Sequence, residues 1–292
     1  MKLLITGSHG QLGRELQKLY EQRRCSLGSI PKAYQDIQLF WTHKDTLDIT
    51  NLEDMREKLK ALRPQIVINT AAYTQVDQCE INQDQAFQNN AMGPRNLAMV
   101  CEEIRAKLLH LSTDYVFDGK STVPYSEFDM PHPINIYGKT KYLGEEYIKQ
   151  FSSRYFIVRT GWLYGMEGKN FVKTILHASK EKKELQIVSD QIGTPTYGVD
   201  LAYHLLHLAL TDEYGIYHCT GNGQCSWYEF AKSIFAYAHR DCSIHPISSE
   251  EYPTLAPRPH YSTLDNSMLR CTIGDSMRNW KEALVDFMKN FN

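Results

Sequence analysis

Tyr137 and Lys141 are the residues of this chain whose types and spacing could catalyse a proton transfer. Apolar residues at helical spacing follow them, so both side chains should lie on one face of a helix, one turn apart. A phenol normally loses its proton only near pH ~10, and a neighbouring ammonium group lowers its pKa towards neutrality. The pair could therefore act as an acid and a base at neutral pH. Because tyrosine and lysine are common in helices, the spacing alone is also compatible with an ordinary helix surface.

A glycine-rich turn near the N-terminus supplies a possible partner for this pair. A short apolar run at Lys2–Thr6, typical of a buried parallel strand, leads into the turn at 7–13 and then into a helical pattern. Gly7 permits a tight turn, Gly10 lets a pyrophosphate approach the backbone, and Gly13 lets helix and strand pack closely. The free N–H groups of the helix N-terminus would then face the phosphates. The G-x-x-G-x-x-G spacing is related to the dinucleotide fingerprint, and its strand–turn–helix context favours a cofactor site over a turn without a ligand.

The residues after the second predicted strand, at 37–41, indicate which dinucleotide binds. In many NAD enzymes an acidic residue ends this strand and binds the adenosine ribose. Here His43 and Lys44 occupy that region, and they could accept a 2′-phosphate that a carboxylate would repel. We therefore expect NADPH as the cofactor, with NADH also accepted. A solvated basic pair without a ligand is the open alternative.

Strand and helix patterns alternate along the first part of the chain. Parallel strands end at one edge of their sheet, so the small residues at 71–72 and the polar residues at 112–114 should meet there. This alternation predicts an α/β fold with a doubly wound parallel Rossmann sheet and a smaller α/β C-terminal substrate domain. We expect an NAD(P)-binding Rossmann domain at 1–165, to which 191–221 return. A substrate-binding domain would comprise 166–190 and 222–292.

Local patterns predict the structure between these strands. Residues 21–36 contain glycine and proline and predict an irregular loop. A capping-box pattern at 50–53 predicts a helix that opens at its threonine. One helix is expected through Ala86, Asn90 and Ala98.

The composition excludes several classes of function. A net charge of -2 argues against general binding to nucleic acids or anionic membranes, and no apolar run approaches the ~20 residues of a membrane span. The seven cysteines are scattered, without a Cys-x-x-Cys pair, which suits free thiols in a reducing cytoplasm. His204 and His207 have no third ligand nearby in sequence, so we expect no metal site from them.

Seven ordered motifs together resemble the extended short-chain dehydrogenase/reductase family, and within it the dTDP-4-dehydrorhamnose reductases. The resemblance covers nearly the whole chain. The motifs lie at 7–13, 71–77, 112–117, 137–141, 159–162, 190–196 and 258–264.

This resemblance implies reduction of the C4 ketone of dTDP-4-dehydro-L-rhamnose, the last step of dTDP-L-rhamnose synthesis. Tyr137 would donate the proton, Lys141 would hold the ribose hydroxyls and lower the pKa of Tyr137, and Thr113 would bind the carbonyl oxygen. The resemblance also implies cofactor contacts from Gly7, Gly10, Gln11, Leu12, Gly13, Asp48, Ile49, Ala71, Ala72, Tyr73, Tyr137 and Lys141. Substrate contacts would come from Thr74, Val76, Thr113, Asp114, Tyr115, Trp162 and Arg258.

Other functions within this fold remain open. The regulatory beta subunit of methionine adenosyltransferase shares much of the motif set, and a protein of that kind could bind a dinucleotide without turnover. Sugar-nucleotide dehydratases carry glutamate at the position of Tyr115, and its loss argues for simple ketone reduction because water elimination needs a paired acid and base. An epimerase or another nucleotide-sugar reductase also remains possible.

The chain departs from the family pattern at three positions. Gly161 stands where serine is usual, and Tyr261 replaces asparagine. Val199 replaces a glutamate that binds magnesium between subunits in some relatives, whereas Glu15 matches another such ligand and is expected in the first turn of its helix. We therefore expect a monomer, or a dimer that does not depend on a metal.

Overall fold

A parallel β-sheet is the centre of the structure, a computed structural model that describes residues 1–291. The strands are β1 (Lys2–Thr6), β2 (Arg24–Cys25), β3 (Gly28–Ser29), β4 (Gln38–Trp41), β5 (Ile66–Asn69), β6 (Lys107–Thr113), β7 (Tyr155–Thr160), β8 (Leu163–Tyr164), β9 (Glu184–Val188), β10 (Ile192–Gly193), β11 (Thr196–Tyr197), β12 (Gly215–His218), β13 (Cys225–Ser226) and β14 (Ser243–Ile247). Six of them form one parallel sheet in the order β12-β7-β6-β5-β1-β4. This sheet confirms the expected α/β fold.

Helices cover both faces of the sheet. They are α1 (Gln11–Gln22), α2 (Leu52–Leu62), α3 (Val76–Ile81), α4 (Gln83–Phe87), α5 (Gly93–Ile104), α6 (Ile136–Phe151), α7 (Phe171–Glu181), α8 (Gly198–Leu208), α9 (Trp227–Ala238), α10 (Ser267–Thr272) and α11 (Trp280–Phe291). Within residues 1–291, none of these helices is both long enough and apolar enough to cross a membrane.

The alternation of side chains along β1 explains why the sheet is covered twice. Leu3 and Ile5 point to one face, where they join a buried cluster with residues of α1 and α8. Leu4 points to the other face and packs in a cluster with residues of α2, α5 and α6. A strand that is buried on both faces reads as a continuous apolar run, as this one does.

A further apolar cluster lies outside the main sheet. Tyr164 of β8, Phe230 of α9 and Phe287 of α11 are fully or almost fully buried in it. The two-stranded pairs β8 with β11, β9 with β14 and β10 with β13 surround this cluster. The cluster therefore joins residues near the end of β7 to the C-terminal helix.

Two local predictions are wrong. The irregular loop expected at 21–36 contains the antiparallel pair β2 and β3, and Tyr34 is fully buried, with its hydroxyl donating to the Leu206 carbonyl at 2.7 Å. The helix expected to open at Thr50 is capped instead by Asn51, whose side chain accepts from the Asp54 N–H. The Thr50 hydroxyl instead donates to Asp48 at 2.8 Å, in the loop before the helix.

The single helix expected through Ala86, Asn90 and Ala98 is present, but it is not regular along its length. The segment forms α4, a π-helical turn at Gln88–Met92, and then α5. Pro94 has no N–H to donate to the Asn90 carbonyl four residues earlier, so a regular helix is interrupted there. Gly144 of α6 packs against this carbonyl, since a Cβ on Gly144 would lie only 2.3 Å from it.

A buried ion pair fixes α6, the helix of Tyr137 and Lys141, against the sheet. Arg159 of β7 donates to the Glu145 carboxylate at 2.7 Å, and both side chains are almost completely inaccessible to solvent. Ser112 of β6 donates to the same carboxylate at 2.5 Å. Arg159 also approaches His218 of β12, at 3.5 Å, and burial lowers the pKa of His218 to about 3, so that this imidazole is neutral.

Glu145→Gln should destabilise the fold by about 3–5 kcal/mol, because it leaves the Arg159 guanidinium buried without a counter-charge. Unfolding in urea, followed by circular dichroism, would measure this difference. Glu53→Gln, in the exposed pair of Glu53 with Arg56, is the matched control and should cost under about 1 kcal/mol. Equal losses in the two variants would contradict the structural role given to the buried pair.

Candidate active site

The carboxyl ends of β1, β5 and β6 meet at one edge of the sheet, as the sequence predicts. The glycine turn follows β1, residues 71–74 follow β5, and Thr113 ends β6. Gly7 has a φ of 70°, and a Cβ at this position would lie 2.6 Å from the Ala71 nitrogen. Only glycine allows the turn to come this close to the end of β5.

The N-terminus of α1 fits a dinucleotide phosphate. Gly10 is its N-cap and makes no side-chain hydrogen bond, so the first N–H groups of the helix stay available. A Cβ on Gly13 would lie 2.5 Å from the Gly7 carbonyl oxygen, which shows how tightly the turn packs on the helix. The side-chain nitrogen of Gln11, Nε2, is buried and has no hydrogen-bond partner within residues 1–291. A bound phosphate would give these donors an acceptor.

Not every predicted cofactor residue can use its side chain. Leu12 and Ile49 are buried in the apolar clusters on the two faces of the sheet, so they could contact a ligand only through the backbone. One Asp48 oxygen accepts from both the backbone and the hydroxyl of Thr50, at 2.9 and 2.8 Å. Asp48 therefore orders the loop before α2.

His9 is a candidate residue that the sequence analysis missed. Its ring stacks on the ring of His43, with centroids 4.0 Å apart and planes at 17°. The Ser8 N–H donates to the Thr42 carbonyl at 2.9 Å and so joins the glycine turn to the end of β4. The position of a histidine inside the glycine turn was the available signal, and the stacked rings lie beside exposed Lys44.

Asn90 holds the backbone after β5 and was also missed. Its side chain accepts from the Tyr73 N–H at 2.8 Å and donates to the Tyr73 carbonyl at 3.0 Å. The same amide contacts Thr140 of α6 at 3.3 Å. The π-helical turn that carries Asn90 therefore positions Ala71, Ala72 and Tyr73, and π turns are frequent at functional sites.

Tyr137 lies in the first turn of α6, beside Thr113. Asn135 caps this helix by accepting from the Gly138 N–H at 2.8 Å, and Glu80 of α3 accepts from the Ile136 N–H at 2.8 Å. Burial raises the pKa of the Tyr137 phenol, and the hydrogen bond with Thr113 partly opposes this rise. The phenol is therefore protonated at neutral pH.

Lys141 is buried one turn further along α6 and does not face Tyr137. Its amine donates to the Leu111 carbonyl at 2.5 Å and lies 3.2 Å from Nε2 of His110. Burial lowers the pKa of Lys141 to about 8. The expected lowering of the Tyr137 pKa by Lys141 is thus absent from this arrangement, in which burial dominates both groups.

Asp114 lies behind Thr113 and accounts for Gly161. Thr113 donates to the Asp114 carboxylate at 3.0 Å, and burial raises the pKa of Asp114 to about 6. A Cβ on Gly161 would lie 2.6 Å from the carboxylate carbon. The serine that is usual in the family would collide with Asp114 in this packing.

Trp162 has a strained backbone and a stacked partner. Its φ is 49°, in the left-handed region that large residues rarely adopt. Its ring stacks on Trp227 of α9 with centroids 3.4 Å apart and planes at 2°. Gly193 lies against the same ring, where a Cβ would be 2.4 Å away. Trp227 was not singled out from the sequence, which shows no pattern joining the two tryptophans.

Arg258 is paired with Asp77 in this structure. Its guanidinium donates to Asp77 at 2.8 Å, while the other Asp77 oxygen accepts from the Ala256 N–H at 3.1 Å. Arg258 also contacts Tyr115, whose pKa is raised to about 12 by burial. The ring of Tyr115 packs edge-on against Tyr137 at 6.0 Å, so Arg258, Tyr115 and Tyr137 lie side by side.

The remaining residues predicted for the substrate side lie around this group. Thr74 is exposed and Val76 is partly exposed at the start of α3. Tyr261, which departs from the family asparagine, donates to Gln224 at 2.8 Å. Its hydroxyl therefore stabilises a loop.

Glu15 has a role that needs no metal. The expectation that it lies in the first turn of α1 is wrong, since that turn contains no acidic residue. The buried Glu15 carboxylate accepts from the backbone N–H groups of Met166 and Glu167, at 2.7 and 3.3 Å. Within residues 1–291, no group of three or more histidine, cysteine or acidic side chains is arranged to hold a metal ion.

Comparison with known proteins gives matches along the whole chain. The family model described as the RmlD substrate binding domain matches residues 1–292. The spore coat polysaccharide biosynthesis protein SpsK of Bacillus subtilis (strain 168) is 41% identical, covering 99% of this chain and 97% of SpsK. A dTDP-4-dehydrorhamnose reductase of Aggregatibacter actinomycetemcomitans is 39% identical, with 97% of each chain covered.

A solved structure agrees with these relatives. The dTDP-4-dehydrorhamnose reductase of Bacillus anthracis str. Ames, in complex with NADP, has a TM-score of 0.91 and 44% identity, and the match covers 99% of each chain. The resemblance seen in the motifs is thereby confirmed. This chain belongs to the RmlD substrate binding domain family, among the dTDP-4-dehydrorhamnose reductases of the extended short-chain dehydrogenase/reductases.

Proposed function

We propose that this protein reduces the C4 ketone of dTDP-4-dehydro-L-rhamnose to dTDP-L-rhamnose, with NADPH as the reductant. The observation that carries this proposal is the protonated Tyr137 phenol beside Thr113, at the sheet edge where the glycine turn opens α1. Full-length similarity to named dTDP-4-dehydrorhamnose reductases supports the choice of substrate. A cytoplasmic location suits the seven cysteines, none of which is paired.

The residues around the glycine turn fit an NADP cofactor. Gly10, Gln11 and Gly13 would hold the pyrophosphate at the N-terminus of α1. His43 and Lys44 would bind the 2′-phosphate. The backbones of Gly7, Leu12, Asp48, Ile49, Ala71, Ala72 and Tyr73 would complete this site. When bound, NADPH supplies the hydride.

The protein's own contribution is to supply a proton and stabilise charge. Tyr137 donates its phenolic proton to the oxygen that becomes an alkoxide. The Thr113 hydroxyl, which donates to Asp114 in the free protein, would turn its O–H to the same oxygen. A well-placed donor at a developing oxyanion is worth roughly 3 kcal/mol of barrier. The Lys141 amine first moves away from His110. Its positive charge then stabilises the phenolate that Tyr137 becomes when it gives up its proton.

The substrate would lie between α3 and the loop of Arg258. Arg258 would exchange Asp77 for the diphosphate, which is a stronger acceptor because it carries more charge. Trp162 would offer its ring to the sugar, with Thr74, Val76, Asp114 and Tyr115 around it.

We further propose that 166–190 and 222–292 form the substrate-binding domain and that 1–165 with 191–221 form the Rossmann domain. The separate apolar cluster of α7, α9 and α11 supports this division.

The main alternative is a dinucleotide-binding protein without turnover, and an epimerase or another nucleotide-sugar reductase is a further one. NADPH oxidation in the presence of dTDP-4-dehydro-L-rhamnose, with the product identified by NMR, tests the proposal against the binding protein and the epimerase. The proposal requires stoichiometric NADPH consumption and dTDP-L-rhamnose. Dinucleotide binding without consumption would favour the binding protein, and a changed sugar without net oxidation would favour an epimerase.

Tyr137→Phe should reduce kcat by ~10²-fold or more, because the ring and its packing remain while the proton donor is lost. Dinucleotide affinity, measured by fluorescence titration, should change little. Turnover close to the wild-type value in a correctly folded variant would remove Tyr137 from the role of acid.

NADPH should be used at least as well as NADH, and Lys44→Ala should raise the KM for NADPH more than the KM for NADH. The reason is that only NADPH carries the 2′-phosphate that this exposed ammonium can reach. Steady-state kinetics with both cofactors measure the effect, and Lys183→Ala, an exposed lysine in another loop, is the control. A strong preference for NADH that persists in Lys44→Ala would overturn the assignment.

Activity and assembly should be unchanged when magnesium is removed. Val199 offers no oxygen ligand, and the Glu15 carboxylate already accepts two backbone hydrogen bonds. We propose a monomer, or a dimer held by another surface, which sedimentation with magnesium or with a chelator would test. Dissociation on chelation together with loss of activity would show that a metal joins the subunits.

A further inference from the structure

A buried chain of polar side chains lies beneath Lys141, and no step of the proposed reaction uses it. The Thr6 hydroxyl of β1 donates to Oδ1 of the Asn69 side chain at 2.6 Å, and Nδ2 of the same side chain lies 2.8 Å from Nδ1 of His110. Nε2 of His110 lies 3.2 Å from the Lys141 amine. All four side chains are at most 2% exposed, so water cannot replace any of these contacts.

The backbone determines which way the Asn69 amide points. The Ala71 N–H, which can only donate, lies 3.1 Å from the Asn69 Oδ1 atom. Turning the amide over would place two N–H groups against each other at this point. The carbonyl oxygen of Asn69 therefore faces Ala71 and Thr6, and its NH₂ group donates to His110.

This orientation determines the tautomer of His110. Burial lowers the pKa of His110 well below its usual value, so the ring is neutral and carries one N–H. Because Nδ1 accepts from Asn69, the proton must be on Nε2, the atom that faces Lys141. An ammonium group has no lone pair to accept this N–H, whereas an uncharged amine has one. Lys141 can satisfy both neighbours only by accepting from His110 while it donates to the Leu111 carbonyl.

The other charged groups near Lys141 do not reverse this conclusion. Glu145, one turn further along α6, favours the charged lysine, but its carboxylate is held by Arg159 of β7. From β1 and β5 the neutral side chains of Thr6 and Asn69 contact this chain, and β6 contributes neutral His110. Burial is the largest influence on Lys141 and also disfavours its charge.

We propose that Thr6, Asn69 and His110 are positioning residues that favour the uncharged form of the Lys141 amine in the dinucleotide-free protein. The ammonium form is favoured again when a bound dinucleotide draws the amine away from His110, and the proton taken up then comes from solvent. The second part of this inference rests on the proposed function. The first part concerns the free protein alone and stands or falls separately.

The first part is tested by NMR titration of protein labelled with ¹³C at the lysine ε-carbon, without a dinucleotide. One lysine signal should titrate near the pKa of about 8 expected for Lys141, and it should be missing in Lys141→Met. Asn69→Asp should raise that pKa by about one unit or more, because a carboxylate would take the proton of His110 on Nδ1 and leave Nε2 as an acceptor for an ammonium group. His110→Phe removes the opposing N–H and should also raise it.

His204→Phe is the matched control, since His204 is a buried histidine hydrogen-bonded to the Asp200 carbonyl far along the chain from this network. It should leave the Lys141 signal where it is. Thermal unfolding of each variant checks that it is folded. A wild-type Lys141 that titrates with the ordinary lysines would overturn the proposal, and so would an unshifted Lys141 in both folded variants of the network.

The second part is tested by calorimetry of NADP⁺ binding in buffers of different ionisation enthalpy. One pH unit above the pKa of about 8, roughly nine-tenths of the free Lys141 is uncharged, so binding should take up between about half and one proton. Asn69→Asp, in which the pKa of Lys141 is expected to be about one unit or more higher, should lose about half of this uptake or more. Binding heats that do not depend on the buffer would overturn this part, while an absence of any binding heat would count against the proposed function.

Discussion

The buried ion pair between Glu145 and Arg159 is the interaction on which the candidate site depends. Two charges that have left water must stay together, because either one alone in the interior is strongly unfavourable. The pair joins α6 to β7, and Ser112 extends the contact to β6. Tyr137 and Lys141 belong to the same helix, so this pair holds the backbone that carries them against the sheet.

Burial at this edge also determines the protonation states with which the site begins its work. A raised pKa keeps the Tyr137 phenol protonated, which is the state a ketone reductase needs in its acid. The same burial lowers the pKa of Lys141 to about 8, so its charge can change close to neutral pH. The site therefore combines a neutral phenol and an easily deprotonated amine near the reacting atoms with a buried ion pair that supports their helix.

The sequence predicts the parts of this arrangement that depend on local patterns. Apolar runs and the glycine turn identify β1, α1 and their neighbours, because a buried parallel strand and a phosphate-binding turn each need particular residues in a row. Local sequence patterns do not predict contacts between residues that are distant in the chain. Examples are the stacking of Trp162 on Trp227, the ion pair of Arg258 with Asp77, and the burial of Tyr34 against α8. The π-helical turn at Asn90 was partly predictable from the sequence. Pro94 indicates an irregular turn there, but the apolar periodicity of the segment is that of a regular helix.

In the proposed reaction, this site transfers a hydride to a nucleotide-linked keto sugar while Tyr137 supplies the proton. The most direct measurement uses NADPH deuterated at its transferable position and follows the sugar by NMR. We expect one deuterium at C4 of the rhamnosyl product for each NADPH consumed. A sugar that remains a ketone although the dinucleotide is bound, or a product without deuterium at C4, would contradict it.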